Sequence, residues 1–220
     1  LDFCLRQIIP FREIGMPVRN IPFLKNGKIL DIGCGSGDFL KVMEGLGWQA
    51  FGVEPDCDAA KVAEGRGLRI VNSSFESADL KGQKFDVVTH SHVLEHVLNP
   101  SLFMTRISDL LNDHGKSVFI VPNANSFLAD LCKSNWRGLE APRHLHIPSK
   151  SGLEKMVRKI FKKSTVFSIN RMFLGNLRSS LGKKKKGTFF GYRRWLFPKT
   201  LTILAWLLFP LFPDRGEELV

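Results

Sequence analysis

The sequence predicts an α/β protein built on a mostly parallel sheet with helices on both faces. From residue 28 onward, short apolar runs that fit buried strands alternate with segments of helical periodicity. The first of these units places a loop with three glycines between a strand and a helix. A hydrophobic content of 44% in 220 residues can supply a substantial core. These observations indicate one doubly wound α/β domain, or such a domain with a cap.

The first unit, residues 28–46, begins KILDIGCGSGDF and suits a small cofactor. Its glycines at 33, 35 and 37 allow sharp turns and a close approach of a ligand to the backbone. Their spacing is neither the G-x-G-x-x-G of dinucleotide loops nor a P-loop, which requires a lysine. Asp31 precedes the loop, Asp38 follows it and no cation lies within it, which favours a cationic ligand. Ser36 and Asp38 are expected to provide a cap and negative charge for the first turn of the helix.

An acid at the end of the second predicted strand strengthens the cofactor interpretation. This strand is Gln49–Glu54, and Glu54 lies about one βα unit beyond the glycine loop, where an acid can accept hydrogen bonds from ribose hydroxyls. A helix then begins at Pro55 and Asp56. Further strands are predicted at 68–71, 85–89, 117–121 and 164–169, with helices that begin near Pro100 and Pro148.

Several stretches resemble class I S-adenosylmethionine (SAM)-dependent methyltransferases of the small-molecule, ubiquinone-biosynthesis type. They are D-x-G-x-G-x-G at 31–37, HSHVLEHVLNP at 90–100, Pro-Asn at 122–123 and PRHL at 142–145. The resemblance covers about residues 28–170. It implies a Rossmann-like methyltransferase fold, in which a doubly wound, mostly parallel sheet of seven strands ends in an antiparallel strand. Residues 215–220 (RGEELV) look like the entry to that last strand, which appears truncated.

The resemblance also implies a cofactor and a set of site residues. SAM is expected as methyl donor and S-adenosylhomocysteine as product. His92 or His144 is expected to act as general base, with a structural role as the alternative for each. Asn123 and Trp136 are expected to face the methyl acceptor, and no metal ligand is predicted. The residues expected to contact SAM are Asp31, Gly33, Cys34, Gly35, Gly37, Glu54, Pro55, Ser74, Phe75 and His90.

Charge and cysteine usage bear on partners and location. The net charge is +11, and residues 141–220 hold 17 Lys and Arg against 4 Asp and Glu, which indicates an anionic partner for that region. Four scattered cysteines without a C-x-x-C pair indicate a reduced, cytoplasmic protein. We predict a lead-in at 1–27, a SAM-binding domain at 28–170 with a cap at 123–148, and a basic and apolar extension at 171–220.

The predicted function is SAM-dependent methylation of a small molecule, on oxygen. Two alternatives stay open: a membrane- or polyanion-binding protein on a methyltransferase scaffold, and an RNA methyltransferase. The RNA methyltransferase alternative is disfavoured because the run of lysines at 183–186 lacks interleaved aromatic residues. That run precedes an apolar stretch with Trp195 and Trp206, which suggests peripheral contact with the inner face of a membrane. The competing account packs residues 203–208 on the protein or in a homodimer contact.

Overall fold

The computed structural model describes residues 19, 21–170, 173–182 and 214–220. In this part of the chain, seven strands form one sheet in the order β3-β2-β1-β4-β5-β7-β6. Strands β1 to β5 pair in parallel, and β7 runs antiparallel to both of its neighbours. This confirms the predicted doubly wound sheet with an antiparallel last strand. The strands are β1 Lys28–Ile32, β2 Gln49–Glu54, β3 Arg69–Asn72, β4 Phe85–Ser91, β5 Leu111–Pro122, β6 Ser168–Ile169 and β7 Glu218–Leu219.

Helices connect the parallel strands, and polar side chains begin most of them. Asp56 accepts the backbone N–H groups of Asp58 and Ala59, and Asn99 and Ser149 cap two later helices in the same way. The helices are α1 Asp38–Gly45, α2 Cys57–Gly65, α3 Pro100–Leu110, α4 Phe127–Cys132, α5 Lys150–Arg158 and α6 Phe173–Gly182. Short 3₁₀ turns occur at Leu94–His96, Lys133–Asn135 and Arg137–Leu139.

The predicted side-chain cap of α1 is wrong, whereas the predicted negative charge in its first turn is confirmed, because Asp38 lies there. The N-cap residue is Gly37, which has no side chain to accept a hydrogen bond from the first turn. Asp38 instead forms an ion pair with Arg66, just beyond the end of α2. A glycine suits this position because its backbone has a φ of +82°, a left-handed conformation that other residues avoid.

Apolar residues cover both faces of the central strands. Leu30 and Val88 pack in one core with side chains of α3 and α5, whereas Ile29 and Val87 pack in a second core with side chains of α1. Successive residues of a strand point to opposite faces, so a strand buried on both sides must be apolar throughout. This explains why the first strand appears in the sequence as an almost continuous apolar run.

The last strand lies between two others rather than at an edge. Leu219 pairs with Val121 of β5 and with Ser168 of β6. β6 is only two residues long, shorter than the predicted strand at 164–169. None of the helices among the described residues is both long and apolar enough to cross a membrane. The division into lead-in, domain, cap and extension stays a prediction, and residues 183–213 lie outside the described part.

Candidate cofactor and active site

The carboxyl ends of the parallel strands meet at one edge of the sheet, where open α/β sheets bind their ligands. The glycine loop follows β1 there, Glu54 ends β2, His92 follows β4 and Asn123 follows β5. The topology therefore brings most of the predicted site residues to one edge, as expected from the sequence.

The three glycines of the loop serve two different purposes. Gly33, Gly35 and Gly37 all have positive φ, at 68°, 54° and 82°. A Cβ atom on Gly33 would lie 2.6 Å from Val93 Cγ2, and one on Gly37 would lie 2.3 Å from Leu68 Cδ1. A Cβ atom on Gly35 would meet no described atom within 4 Å. Packing therefore requires the outer two glycines, whereas Gly35 leaves open space where a ligand can approach the backbone.

Glu54 shapes this loop directly. Its Oε2 accepts the backbone N–H of Gly35 at 2.7 Å, and its Oε1 accepts that of Asp56 at 2.9 Å. The residue is 7% exposed. A carboxylate has about four lone-pair sites, so two hydrogen bonds leave Glu54 able to accept further donors such as ribose hydroxyls.

Arg19 is a site residue that the sequence did not reveal. Its guanidinium donates to both carboxylate oxygens of Asp31, donates to Thr89 Oγ1 at 2.7 Å and lies over the Phe39 ring. Burial raises the pKa of Asp31 to about 6, because the cost of desolvation exceeds the stabilisation from Arg19. A single basic residue in a proline-broken lead-in carries no pattern that would link it to the glycine loop.

Two arginines, Arg19 and Arg66, change the electrostatic interpretation of the loop. The loop itself holds no cation, as expected, but Arg19 from outside the loop pairs with Asp31. Arg66 pairs with Asp38 and also donates to the carbonyl of Ser36 at 2.9 Å. The argument that an uncompensated negative charge selects a cationic ligand is therefore wrong, although the shape of the loop and the position of Glu54 are as expected.

Other residues predicted to contact SAM differ in their accessibility. Cys34 is buried, and its burial together with the charges of Asp31 and Glu54 raises the pKa of its thiol to about 12, so the thiol is neutral. Pro55 and Ser74 are exposed. The contact of Pro55 and Ser74 with SAM stays a prediction.

Phe75 and His90 lie inside the apolar core. Phe75 packs edge-on against Phe103, with ring centroids 5.1 Å apart. His90 is fully buried between Phe103 and Phe119, and neither ring nitrogen has a hydrogen-bond partner among the described residues. Burial lowers the pKa of His90 to about 3, so its ring is neutral. The arrangement supports a packing role for both side chains rather than the predicted contact with SAM.

His92 connects two buried acids. Its Nδ1 lies 3.1 Å from Glu95 Oε1, and its Nε2 lies 2.7 Å from Glu218 Oε1. An ionised carboxylate can only accept, so both ring nitrogens carry hydrogen and the ring is an imidazolium. A histidine in this state has no lone pair with which to remove a proton, which opposes the prediction that His92 is a general base.

His144 has the opposite character. Its Nδ1 lies 2.6 Å from the carbonyl oxygen of Gly138, which can only accept, so the hydrogen is on Nδ1. In the neutral form of the ring the lone pair is then on Nε2, 3.7 Å from Glu140 Oε2. The His144 ring also lies against the ring of His96, with centroids 4.8 Å apart. Of the two predicted catalytic histidines, His144 retains a nitrogen that can accept a proton.

One group of described residues could hold a metal ion, although the sequence predicted none. Potential ligand atoms of Glu95, His96 and His144 lie within 4.8 Å of one another. The Nδ1 atoms of both histidines face backbone carbonyls, which orients their Nε2 lone pairs for coordination. Glu95 is fully buried and its Oε2 has no hydrogen-bond partner among the described residues. The predicted absence of a metal stays untested.

The two residues predicted to contact the methyl acceptor, Asn123 and Trp136, bind other parts of the chain. The side-chain amide of Asn123 donates to the carbonyls of Asp214 and Gly216, at 3.0 and 2.7 Å, and the residue is fully buried. Trp136 is 2% exposed and donates its indole N–H to Glu217 Oε2 at 3.3 Å. Both residues hold the segment that leads into β7, so this geometry disfavours direct contact with an acceptor.

Comparison with known proteins agrees with this architecture. A family model described as a methyltransferase domain matches residues 12–160. The ubiquinone biosynthesis O-methyltransferase of Cereibacter sphaeroides is 32% identical over 160 residues, which cover 68% of this chain and 63% of that protein. The enzyme of the same name from Azorhizobium caulinodans is 34% identical over 121 residues, covering 52% of this chain and 47% of that protein.

Solved structures show the same fold. A phosphoethanolamine N-methyltransferase of Haemonchus contortus, solved with SAM, has a TM-score of 0.63 at 16% identity and covers 94% of this chain and 50% of that one. A SAM-dependent methyltransferase of Thermotoga maritima has a TM-score of 0.56 at 20% identity, covering 76% and 84%. The chain spans less than two thirds of the length of the curated relatives it matches. The sequence, sheet order and family match show that the chain belongs to the class I SAM-dependent methyltransferase family.

Proposed function

We propose that this protein transfers the methyl group of SAM to a hydroxyl oxygen of a small molecule. The observation that carries the proposal is the loop at 33–37, which Glu54 orders and which is open at Gly35. Relatives named as ubiquinone biosynthesis O-methyltransferases support oxygen as the acceptor atom. When bound, SAM supplies a methyl group already activated on a sulfonium, so the protein needs chiefly to align the reactants and exclude water.

The residues at the site suggest how the protein contributes. Gly35 and Glu54 bind the donor, the first by its open backbone and the second by its remaining lone pairs. The acceptor hydroxyl must lose a proton as the new carbon–oxygen bond forms and the carbon–sulfur bond breaks. His144 Nε2 carries the lone pair that can take this proton. The products are the methyl ether and S-adenosylhomocysteine.

The proposal is tested by the identity of the product. The protein is incubated with methyl-labelled SAM and a panel of phenols, amines and RNA, and the labelled product is identified by mass spectrometry. A methyl ether supports the proposal, and transfer to nitrogen or to RNA contradicts it. SAM binding without transfer to any acceptor in the panel favours the alternative of a binding protein on a methyltransferase scaffold.

Replacing Glu54 with alanine is expected to weaken SAM binding. The change removes an acceptor for the ribose and releases the backbone N–H of Gly35, a loss of about 1–3 kcal/mol or about 5- to 150-fold in Kd. Calorimetric titration with SAM measures the effect. Glu64→Ala, an exposed acid on α2, is the matched control and should bind like the parent protein. If Glu54→Ala bound SAM with unchanged affinity, Glu54 would not be a cofactor contact.

Peripheral membrane contact through residues 183–213 is a proposal about location that rests on sequence alone. We expect the protein to sediment with anionic vesicles at low salt, because each lysine near such a surface contributes about 1 kcal/mol. Replacing Lys183–Lys186 with glutamine should reduce the bound fraction. Replacing the exposed lysines 155, 159, 162 and 163 provides a control with the same change in charge. Protein that stays in the supernatant at low salt would instead favour the packing or homodimer account.

A further inference from the structure

The turn that follows β4 is fixed between two distant parts of the chain. His92 is at its start and the 3₁₀ turn Leu94–His96 completes it. The backbone N–H of His92 donates to Ile120 of β5, and its φ of +57° is a left-handed conformation unusual for a residue other than glycine. Such a conformation persists only when the surrounding structure enforces it, so contacts with the rest of the protein hold the backbone of His92 in place.

On one side, the His92 ring binds the last strand. Glu218, which is 1% exposed, pairs with Pro122 of β5 and Ile169 of β6 in the sheet, and its Oε1 faces His92 Nε2. Glu95, which is fully buried, faces Nδ1 of the same ring. A buried carboxylate is costly unless a partner compensates its charge, and Glu95 and Glu218 share the His92 ring as that partner.

On the other side, the turn binds residues 143–146. The backbone carbonyl of Glu95 accepts the N–H groups of Leu145 and His146, at 2.7 and 3.2 Å. His96 Nδ1 donates to the carbonyl of Arg143 at 2.9 Å. The segment 143–146 also contains His144, whose ring packs on that of His96. The turn therefore connects β7 to the segment that carries the proposed base.

We propose that His92 is a positioning residue, whose imidazolium ties Glu95 to Glu218 and thereby holds the segment 143–146 against the sheet. Its effect on turnover rests on the proposed function, whereas its effect on the segment does not. Without this charge, the two buried acids repel each other and the turn moves away from β7. The segment 143–146 then loses the carbonyl to which its backbone is bound.

Hydrogen exchange at the backbone N–H groups of Leu145 and His146 tests the proposal without any need for activity. His92→Asn is the informative variant, because asparagine tolerates the left-handed backbone but cannot reach both acids. We expect exchange at these two amides to rise about tenfold or more, as for the loss of charge-assisted hydrogen bonds. His114→Asn, at an exposed site at the other end of β5, is the matched control and should change neither amide. Unchanged exchange in His92→Asn overturns the proposal.

Two further measurements cover the case in which His92→Asn does not fold. Hydrogen exchange at the amides of β1 reports global stability. If these amides also lose protection in His92→Asn, the variant Glu218→Gln tests the proposal instead, because glutamine keeps a hydrogen-bond acceptor and removes the charge. It should raise exchange at Leu145 and His146 and leave β1 protected. Lost turnover with unchanged exchange at the two amides would overturn the proposal.

Discussion

Replacing Gly35 with valine is expected to abolish SAM binding and to leave the protein folded. A side chain at this position meets no described atom within 4 Å, so it would occupy the open space beside the loop rather than disturb the core. The φ of +54° makes the substitution strained, at about 1–2 kcal/mol for the left-handed conformation. Calorimetric titration measures binding, and urea denaturation confirms that the variant is folded.

Two other glycines separate strain from ligand contact. Gly47, in the turn after α1, also has a positive φ and open space where a Cβ atom would lie, so Gly47→Val carries similar strain away from the loop. It should lose comparable stability and bind SAM normally. Gly37→Ala should mainly lower stability, because its Cβ would lie 2.3 Å from Leu68 Cδ1. If Gly35→Val bound SAM with parental affinity, the assignment of the loop would be wrong.

The second large effect concerns the ion pair between Arg19 and Asp31. Replacing Arg19 with leucine leaves a carboxylate that is 1% exposed without its cation, at an expected cost of about 3–5 kcal/mol in the free energy of unfolding. Urea denaturation measures this cost. A second change, Asp31→Asn, should recover part of the loss because it removes the buried charge. Arg66→Leu, which breaks an exposed ion pair with Asp38, is the control and should change stability little.

The loss in Arg19→Leu should also depend on pH. Burial raises the pKa of Asp31 from 3.8 to about 6, so the folded state binds this proton more tightly and Asp31 lowers stability as pH rises across that range. Without Arg19 the pKa rises further, and the variant continues to lose stability where the parent has levelled off. The difference in free energy of unfolding between the parent protein and Arg19→Leu should therefore be larger at about pH 8 than at about pH 5. An equal deficit at both values would show that Asp31 is not the group that Arg19 stabilises.

The sequence predicted those parts of the fold that depend on local patterns. The apolar run of β1, the glycines after it and the acid at the end of β2 lie close together in the chain, and each has a local physical cause. The mostly parallel sheet of seven strands and its antiparallel last strand followed from the family resemblance, and the structure confirms both. The predicted cap of α1 failed because Gly37, with no side chain to offer, occupies the N-cap position.

The roles of individual site residues were harder to predict, because their partners are remote in sequence. Asn123 and Trp136 have the polar and aromatic character of ligand contacts, yet they bind residues 214–217. His92 was expected as a candidate general base, but Glu218 occupies one of its nitrogens. Arg19 compensates a charge that seemed available to a ligand. Each of these contacts forms only when distant segments come together, which no local pattern records.

The placement of β7 has a consequence for the order in which the molecule assembles. Paired residues among strands β1 to β4 lie at most 58 positions apart, whereas Val121 of β5 and Leu219 of β7 lie 98 apart, so the half of the sheet with the glycine loop can form early. β7 must instead return from residue 218 to lie between β5 and β6, which requires closure of a long loop. During synthesis the donor side of the molecule would thus take shape while β5 still has a bare edge open to other chains. Pairing of Glu218 and Leu219 with Pro122 and Val121 covers this edge of β5.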